Sequence, residues 1–331
     1  MIGEAELPPR LLSVVVPALN EGRAIGPVLE ALRAALAGLP CGTEILVVDD
    51  GSVDDTSDRA REVSGVRVLR NPINLGYGHS LLRGITAAQG DVIGITDADG
   101  TYPVGEIAGL FDLVAAGADH VIGARTGQHF TSHFSLRYFY RALCRYVVGQ
   151  PVPDANSGLR LFRREVVDSL RGDLCLGFSF TTSLTLASIL TGDVVVFRSI
   201  GYERRVGQSH VRPRDVLRTL QYLFQLIAVY NPLKLFLPLV LTSLFLSLAA
   251  LIYGLLLERV AGTISAVILA ATTLILVGIS AHAYIVSRVG LYPVRRRAAL
   301  SSVGVAGTPP PSASPSEPLP GSTAAAGAKK A

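Results

Sequence analysis

Two aspartates, Asp97 and Asp99, stand at i, i+2 where the apolar run in DVIGITDADGTYP (91–103) gives way to glycine and proline. Carboxylates are hard oxygen ligands, and a pair of them can hold Mg2+ or Mn2+ while a diphosphate supplies the remaining oxygens. Read as the end of a strand, the spacing turns both acids to one face. A second acidic pair, Asp49 and Asp50, ends EILVVDD and leads into GSVDDT, a turn and helix start. Taken singly, each pair suits a solvated turn equally well. Together, acids at two strand ends repel unless a cation, or a base and ribose, pairs with them.

Other motifs carry weaker signals. PALNEG (17–22) follows the first strand, and Asn20 reads as a helix N-cap. NPINLGYGHS (71–80) places glycines before a helix but fits neither G-x-x-x-x-G-K-[ST] nor G-x-G-x-x-G. The six histidines and three cysteines show no ligand spacing, and so few cysteines suit a reduced compartment.

The elements that must position these acids follow from periodicity. Strands are expected at 13–17, 44–50, 66–70, 91–97, 120–125 and from 194, with a basic strand or loop at 156–164. Helical spacing covers 21–39, 54–63, 78–90, 104–117, 135–149, 178–190 and 212–230. This alternation argues an α/β domain with a mostly parallel sheet and helices on both faces. Ligands in such sheets bind beyond the carboxyl ends of the strands. Pro17, Asp49, Asp50, Asp97, Asp99 and Arg125 all fall there.

The chain is 49% hydrophobic and 17% charged, and the apolar excess lies after Asn231. Two runs, 235–257 and 260–286, are separated by Glu258 and Arg259 alone. Each exceeds the roughly 20 residues that span a bilayer, so a transmembrane hairpin is expected. Its flanks are basic: Arg212, Arg214, Arg218 and Lys234 before, Arg288 and Arg295, Arg296 and Arg297 after. The positive-inside rule then gives a multi-pass protein of the plasma (inner) membrane, with the α/β domain and both termini cytoplasmic.

Residues 212–230 form an amphipathic helix, with Val216, Leu217, Leu220, Leu223, Phe224 and Ile227 on one face, suited to the membrane interface. A second basic helix carries Arg137, Arg141 and Arg145 interleaved with Phe134, Tyr138 and Tyr140, suited to an anionic lipid head. The expected organisation is an extension at 1–10, the α/β domain at 11–211, the interfacial helix at 212–230, the hairpin at 231–288 and a disordered tail at 298–331. A net charge of +4 is too small to argue for nucleic acid.

In order, VVPALNEG, VVDDGSVDDT, NLGYGHSLLRGI, DADGTYP, GAR, NSGLRLFRR and YERRVGQSH resemble the family-two glycosyltransferases over residues 11–212. The nearest branch is the dolichyl- and polyprenyl-phosphate mannose or glucose synthases. The resemblance implies a GT-A (Rossmann-like) fold, a UDP- or GDP-linked sugar donor, Mg2+ or Mn2+, and a polyprenyl-phosphate acceptor glycosylated with inversion. It puts Pro17, Leu19, Asn20 and Glu21 around the nucleotide, Asp49 on the base and Asp50 in ordering the loop. Asp97 faces donor or metal, and Asp99 is the main metal ligand. Arg125, Arg137, Ser157 and Arg160 lie near the acceptor phosphate, and Arg205 and Ser209 reach the phosphates.

Leu19 departs from the Tyr of many members, Thr101 from a common Gln, Ser183 from a common acid and His210 from a common Lys. A processive polysaccharide synthase of the same fold is disfavoured, since the chain has no Trp for a Q-x-x-R-W motif and one hairpin makes no channel. An inactive membrane scaffold is disfavoured by the intact Asp97/Asp99 pair. Members of the family often assemble through their membrane segments, which makes a homo-oligomer an expected partner state.

Overall fold

The computed structural model describes residues 10–126, 134–172, 174–177, 179–203, 213–258 and 260–289. The chain runs β1 (Leu11–Ala18), α1 (Ile25–Leu36), β2 (Gly42–Asp49), α2 (Thr56–Glu62), β3 (Val66–Arg70), α3 (Tyr77–Ala87) and β4 (Val92–Ile95). A short 3-10 turn then leads into α4 (Ile107–Ala115), β5 (His120–Thr126), α5 (Phe134–Val148), β6 (Arg160–Arg163), α6 (Arg164–Leu170), α7 (Phe180–Thr191) and β7 (Val195–Gly201). Three helices follow: α8 (Pro213–Tyr230), α9 (Pro232–Leu256) and α10 (Val260–Val289).

The strands form one sheet in the order β3-β2-β1-β4-β6-β5-β7. Every pairing is parallel except those of β6, which is antiparallel to β4 and β5. The pleat explains why β1 and β2 read as continuous apolar runs. Val15, Leu46 and Val48 enter the core on one face, and Val14, Val16, Ile45 and Val47 enter the core on the other. Helices α1 and α4 cover the second face, while α3, α5, α7 and α8 cover the first.

The connection from β1 runs to β2 on one side, and β4 lies on the other. The fork between β1 and β4 is therefore the topological switch point, where such sheets open a crevice. Pro17 marks it. The Val15 carbonyl accepts from Thr96 N, so alternate residues of β1 face β4, and Pro17 does so beyond Ile95, where pairing stops. A missing N–H costs nothing there.

Three local expectations are corrected. The fourth strand ends at Ile95 rather than at Asp97, so Asp97 and Asp99 sit in a turn and strand alternation does not orient them. Arg164, read as the last residue of a basic strand or loop, instead opens α6, which buries Val166, Val167 and Leu170. On α8 the buried stripe is Leu223, Leu226 and Ile227, packed into the same core as α5 and α7, while Phe224 is 55% exposed. The face expected to meet lipid thus meets protein at its C-terminal half.

Helices α9 and α10 run antiparallel. A Cβ on Gly262 would lie 2.6 Å from Gly254 Cα, so only glycine permits this approach. Further along, Ser243 and Ser247 donate to the carbonyls of Leu269 (3.2 Å) and Ala266 (2.9 Å). Small residues and interhelical hydroxyl bonds are how apolar helices pack without a hydrophobic drive between them. Both helices are long and apolar enough to cross a membrane, with 11% of each apolar window buried. The boundary at 298–331 and the extension at 1–9 lie outside the described residues.

Candidate active site

The loop after β1 is tied to the loop after β2 by reciprocal bonds. Asn20 adopts a left-handed backbone (φ 56°), which asparagine tolerates better than most residues. Its Oδ1 accepts from Val53 N at 2.9 Å, and its amide donates to Ser52 Oγ at 2.9 Å. The amide of Glu21 donates to Thr56 Oγ1 at 2.9 Å. Asn20 is therefore a loop lock and not the expected N-cap; α1 begins five residues later, after Ala24. Pro17 is buried and Leu19 is half-buried at the same corner.

Asp49 and Asp50 are satisfied by the protein itself, contrary to the expectation that they need a ligand's charge. Asp49 is fully buried. It accepts from Ser52 N at 2.8 Å and from the Ser57 hydroxyl, with Arg70 Nε 3.5 Å away. Asp50 accepts from Asn71 Nδ2 (2.7 Å), Leu75 N (2.9 Å) and Gly76 N (2.8 Å). Asp50 thus shapes the segment leading into α3. The half-exposed guanidinium of Arg70, which sequence reasoning missed, lies where Asp49 was expected to meet a base.

Asp97 is half-buried and Asp99 is 6% exposed. Tyr77 OH donates to Asp97 Oδ1 at 3.0 Å. Burial, then the Asp97 charge, pushes the Tyr77 phenol well above its ordinary pKa, so it stays a donor. Asp99 Oδ1 accepts from Thr101 N (3.1 Å) and Thr101 Oγ1 (2.7 Å), which fixes its plane. Thr101 therefore supports Asp99.

The basic residues divide. Arg125, 14% exposed at its side chain, forms a bidentate pair with Asp154 at 2.7 and 2.9 Å and lies 5.3 Å over the Tyr202 ring. Burial opposes its charge, but Tyr102 and Asp154 more than offset this and hold the guanidinium above its ordinary value. Arg160 is fully buried. It donates to the carbonyls of Ser157 (Nε, 3.0 Å), Thr181 (2.9 Å) and Ala155 (3.3 Å) and to Thr185 Oγ1 (2.9 Å). Burial pulls its pKa down to about 10, leaving it charged at neutral pH. Ser157 is likewise buried, its hydroxyl on Gly123 O at 2.5 Å. Neither presents a donor at the surface, so in this structure they brace the 155–158 turn.

Arg137 falls in the first turn of α5, and its side chain lies outside the described residues, as do Arg205 and Ser209. Tyr140 turns inward to Thr182 Oγ1 at 2.6 Å, while Tyr138 and Phe139 are 70% and 57% exposed beside exposed Arg141 and Arg145. Asp154 and Tyr102 were also missed. Asp154 carried one available signal, an acid four residues before the NSG glycine, within reach of a rim arginine.

A family profile described as "Glycosyl transferase family 2" matches residues 13–171. An undecaprenyl-phosphate 4-deoxy-4-formamido-L-arabinose transferase of Klebsiella pneumoniae is 30% identical over 260 residues, 76% of each chain. The chain belongs to glycosyl transferase family 2. Another relative, a dolichol-phosphate mannosyltransferase of Pyrococcus furiosus, is 28% identical over 65% of this chain and 63% of its own. The chain thus spans under two thirds of that relative. Among solved structures, glucosyl-3-phosphoglycerate synthase of Mycobacterium tuberculosis with Mn2+, UDP-glucose and phosphoglyceric acid superposes with a TM-score of 0.52 at 26% identity. That match covers 66% of this chain and 79% of that one. The same enzyme with Mg2+ and UDP gives 0.53 at 26% identity. The family-2 domain is the Rossmann-like GT-A sheet, followed here by two apolar helices.

The donor set fits a divalent cation of the Mg2+ or Mn2+ kind. Asp97 and Asp99 offer only oxygens, and no group of three His, Cys, Asp or Glu side chains gathers among the described residues. Such cations take one or two protein carboxylates and leave the other positions to phosphate and water.

Proposed function

We propose that this family-2 chain transfers a hexose from a UDP- or GDP-linked donor to a polyprenyl phosphate at the membrane surface, with inversion at the anomeric carbon. The observation that carries the reading is one arrangement. Two oriented carboxylates at the switch point share a molecule with an arginine- and aromatic-faced helix clamped to an apolar hairpin. The polyprenyl- and dolichol-phosphate transferases among its relatives support the same class.

The acceptor phosphate is already anionic at neutral pH, because a monoester's second pKa is near 6. It attacks C1 directly, the C1–O bond to the diphosphate breaks, and the nucleoside diphosphate leaves. No general base is required. Asp97 and Asp99 would hold a divalent cation, which would supply charge stabilisation for the leaving diphosphate. Pro17, Leu19, Asn20 and Glu21 shape the nucleotide side. Arg137 and Arg205 offset repulsion between two anionic reactants, Ser209 gives a phosphate a hydrogen bond, and Arg125, paired with Asp154, shapes the rim that holds the reactants in line. Arg160 and Ser157 act indirectly, by holding the turn against which Asp97 rests. The α/β domain lies on the cytoplasmic side, with both helices crossing the inner membrane.

The test is a panel of UDP- and GDP-hexoses with polyprenyl phosphate and Mn2+ or Mg2+ in membranes containing the full chain. One labelled sugar per extracted lipid is expected. A polymer, or no lipid-linked label with any donor, contradicts the reading.

A further inference from the structure

The segment entering α3 bridges two strand ends. Leu75 and Gly76 give their amides to Asp50 at the end of β2, and Tyr77 gives its hydroxyl to Asp97 beyond β4. Strand β1 lies between them. The start of α3 is wedged from behind, because a Cβ on Gly78 would lie 2.5 Å from the Leu176 carbonyl carbon. The ring of Tyr77 packs on the core. On the other side of Asp97 lies Gly158, where a Cβ would come within 2.6 Å of Oδ2. The Gly158 amide is itself fixed on Tyr102 OH at 2.6 Å. Asp97 is therefore gripped between a phenol and bare backbone, although it is half-exposed at the rim.

We propose that Tyr77 is the positioning residue for Asp97, fixing the plane of its carboxylate toward the donor diphosphate and its cation. This rests on the reading of Asp97 given above. A carboxylate's last torsion is broad and two-fold. One hydrogen bond from an immobile donor removes that freedom before any ligand arrives, so the cost of ordering is met in folding and not in binding. Because the same segment also holds Asp50, the nucleotide side and the Asp97 turn keep a fixed separation.

Tyr77→Phe keeps the ring and removes only the hydroxyl. In full-length protein in detergent, Mn2+ uptake in the presence of UDP or GDP, read from the loss of free-ion EPR signal, should weaken about tenfold, the scale of one hydrogen bond to a charged group. The KM for polyprenyl phosphate should not move. Asp97→Ala should weaken uptake too, and adding Tyr77→Phe to it should weaken it no further. A hydroxyl that acts through the fold and not through Asp97 would cost the same in both backgrounds, and that result overturns the proposal even if the single variant melts early. Wild-type uptake in Tyr77→Phe overturns the Tyr77 assignment alone. No nucleotide-dependent uptake by the wild type overturns the reading of the site and the Tyr77 assignment with it.

Discussion

Lys234, in the first turn of α9, sets its ammonium 2.9 Å from the carbonyl of Tyr146 and 3.2 Å from that of Val147, the closing turn of α5. Tyr146 returns the bond, its hydroxyl reaching Lys234 O at 2.5 Å. A cation on the last carbonyls of a helix satisfies groups the helix leaves open and meets the negative end of its dipole, worth about 0.3–1 kcal/mol. The first apolar helix and the helix bearing Arg137, Arg141 and Arg145 are thus latched together. Lys234→Met, which keeps the stem, should raise the KM for polyprenyl phosphate several-fold and leave that for the nucleotide sugar unchanged. Steady-state kinetics on both substrates checks the split.

Arg160 should be intolerant of change for a reason of stability. Its guanidinium serves carbonyls of the 155–157 turn and the first turns of α7. Removing it leaves those acceptors buried and unpaired, which costs about 1–3 kcal/mol for a buried group left without a partner, with several such groups here. That is a large share of a domain's roughly 5–15 kcal/mol. Arg160→Lys should not rescue, since one ammonium cannot reproduce a planar fork. Thermal melts in detergent should show both variants well below wild type; wild-type melting with lost acceptor binding would instead put Arg160 on the phosphate.

Asp99→Asn should fold and insert but lose transfer. The side chain is small, and Thr101 can still engage its remaining oxygen. Loss of one electrostatic group at a site of developing charge costs about a hundred- to a thousandfold in kcat. Near-wild-type kcat with metal present would remove Asp99 from the chemistry.

Acid should loosen the loops beneath the site. Burial alone would raise Asp54, but bonds from the Thr56 hydroxyl and the amides of Gly22 and Thr56 outweigh it, so its folded pKa is depressed. A depressed carboxylate contributes stability above its unfolded pKa, about 3.9, and loses it as pH falls through the lower folded value. Asp54→Asn should therefore melt below wild type at pH 7, with the gap closing as the pH drops below about 4. A gap independent of pH would exclude the ionised form as the cause.

The sheet and the hairpin were legible in the sequence because each rests on periodicity: doubly buried strands such as 13–17, and apolar runs too long for a core helix. The gathering of Asp49, Asp50, Asp97 and Asp99 at one rim followed from alternation, whereas the switch point between β1 and β4 needed the strand order. What was not legible was which polar groups already satisfy one another. Asp49 and Asp97 look alike in sequence, yet one is consumed by Ser52 and Ser57 and the other stands half-exposed. The family resemblance puts Arg160 near the acceptor phosphate, and nothing local in the sequence shows that α7 folds over it. Tyr77 lies in NPINLGYGHS, where the glycines carry the readable signal and the tyrosine does not stand out. On α8 the apolar stripe was visible, but a stripe does not say whether protein or lipid covers it, and the choice of Leu226 over Phe224 was made by α5 and α7.

If Asp97 and Asp99 act through a divalent cation while sugar passes from a nucleotide to a lipid phosphate, transfer depends on free metal. The direct measurement is lipid-linked label formed by purified full-length protein in excess chelator, then after adding back Mn2+. No product is expected with chelator, and full product on restoration. Equal glycosylation of the lipid in both conditions would contradict that dependence.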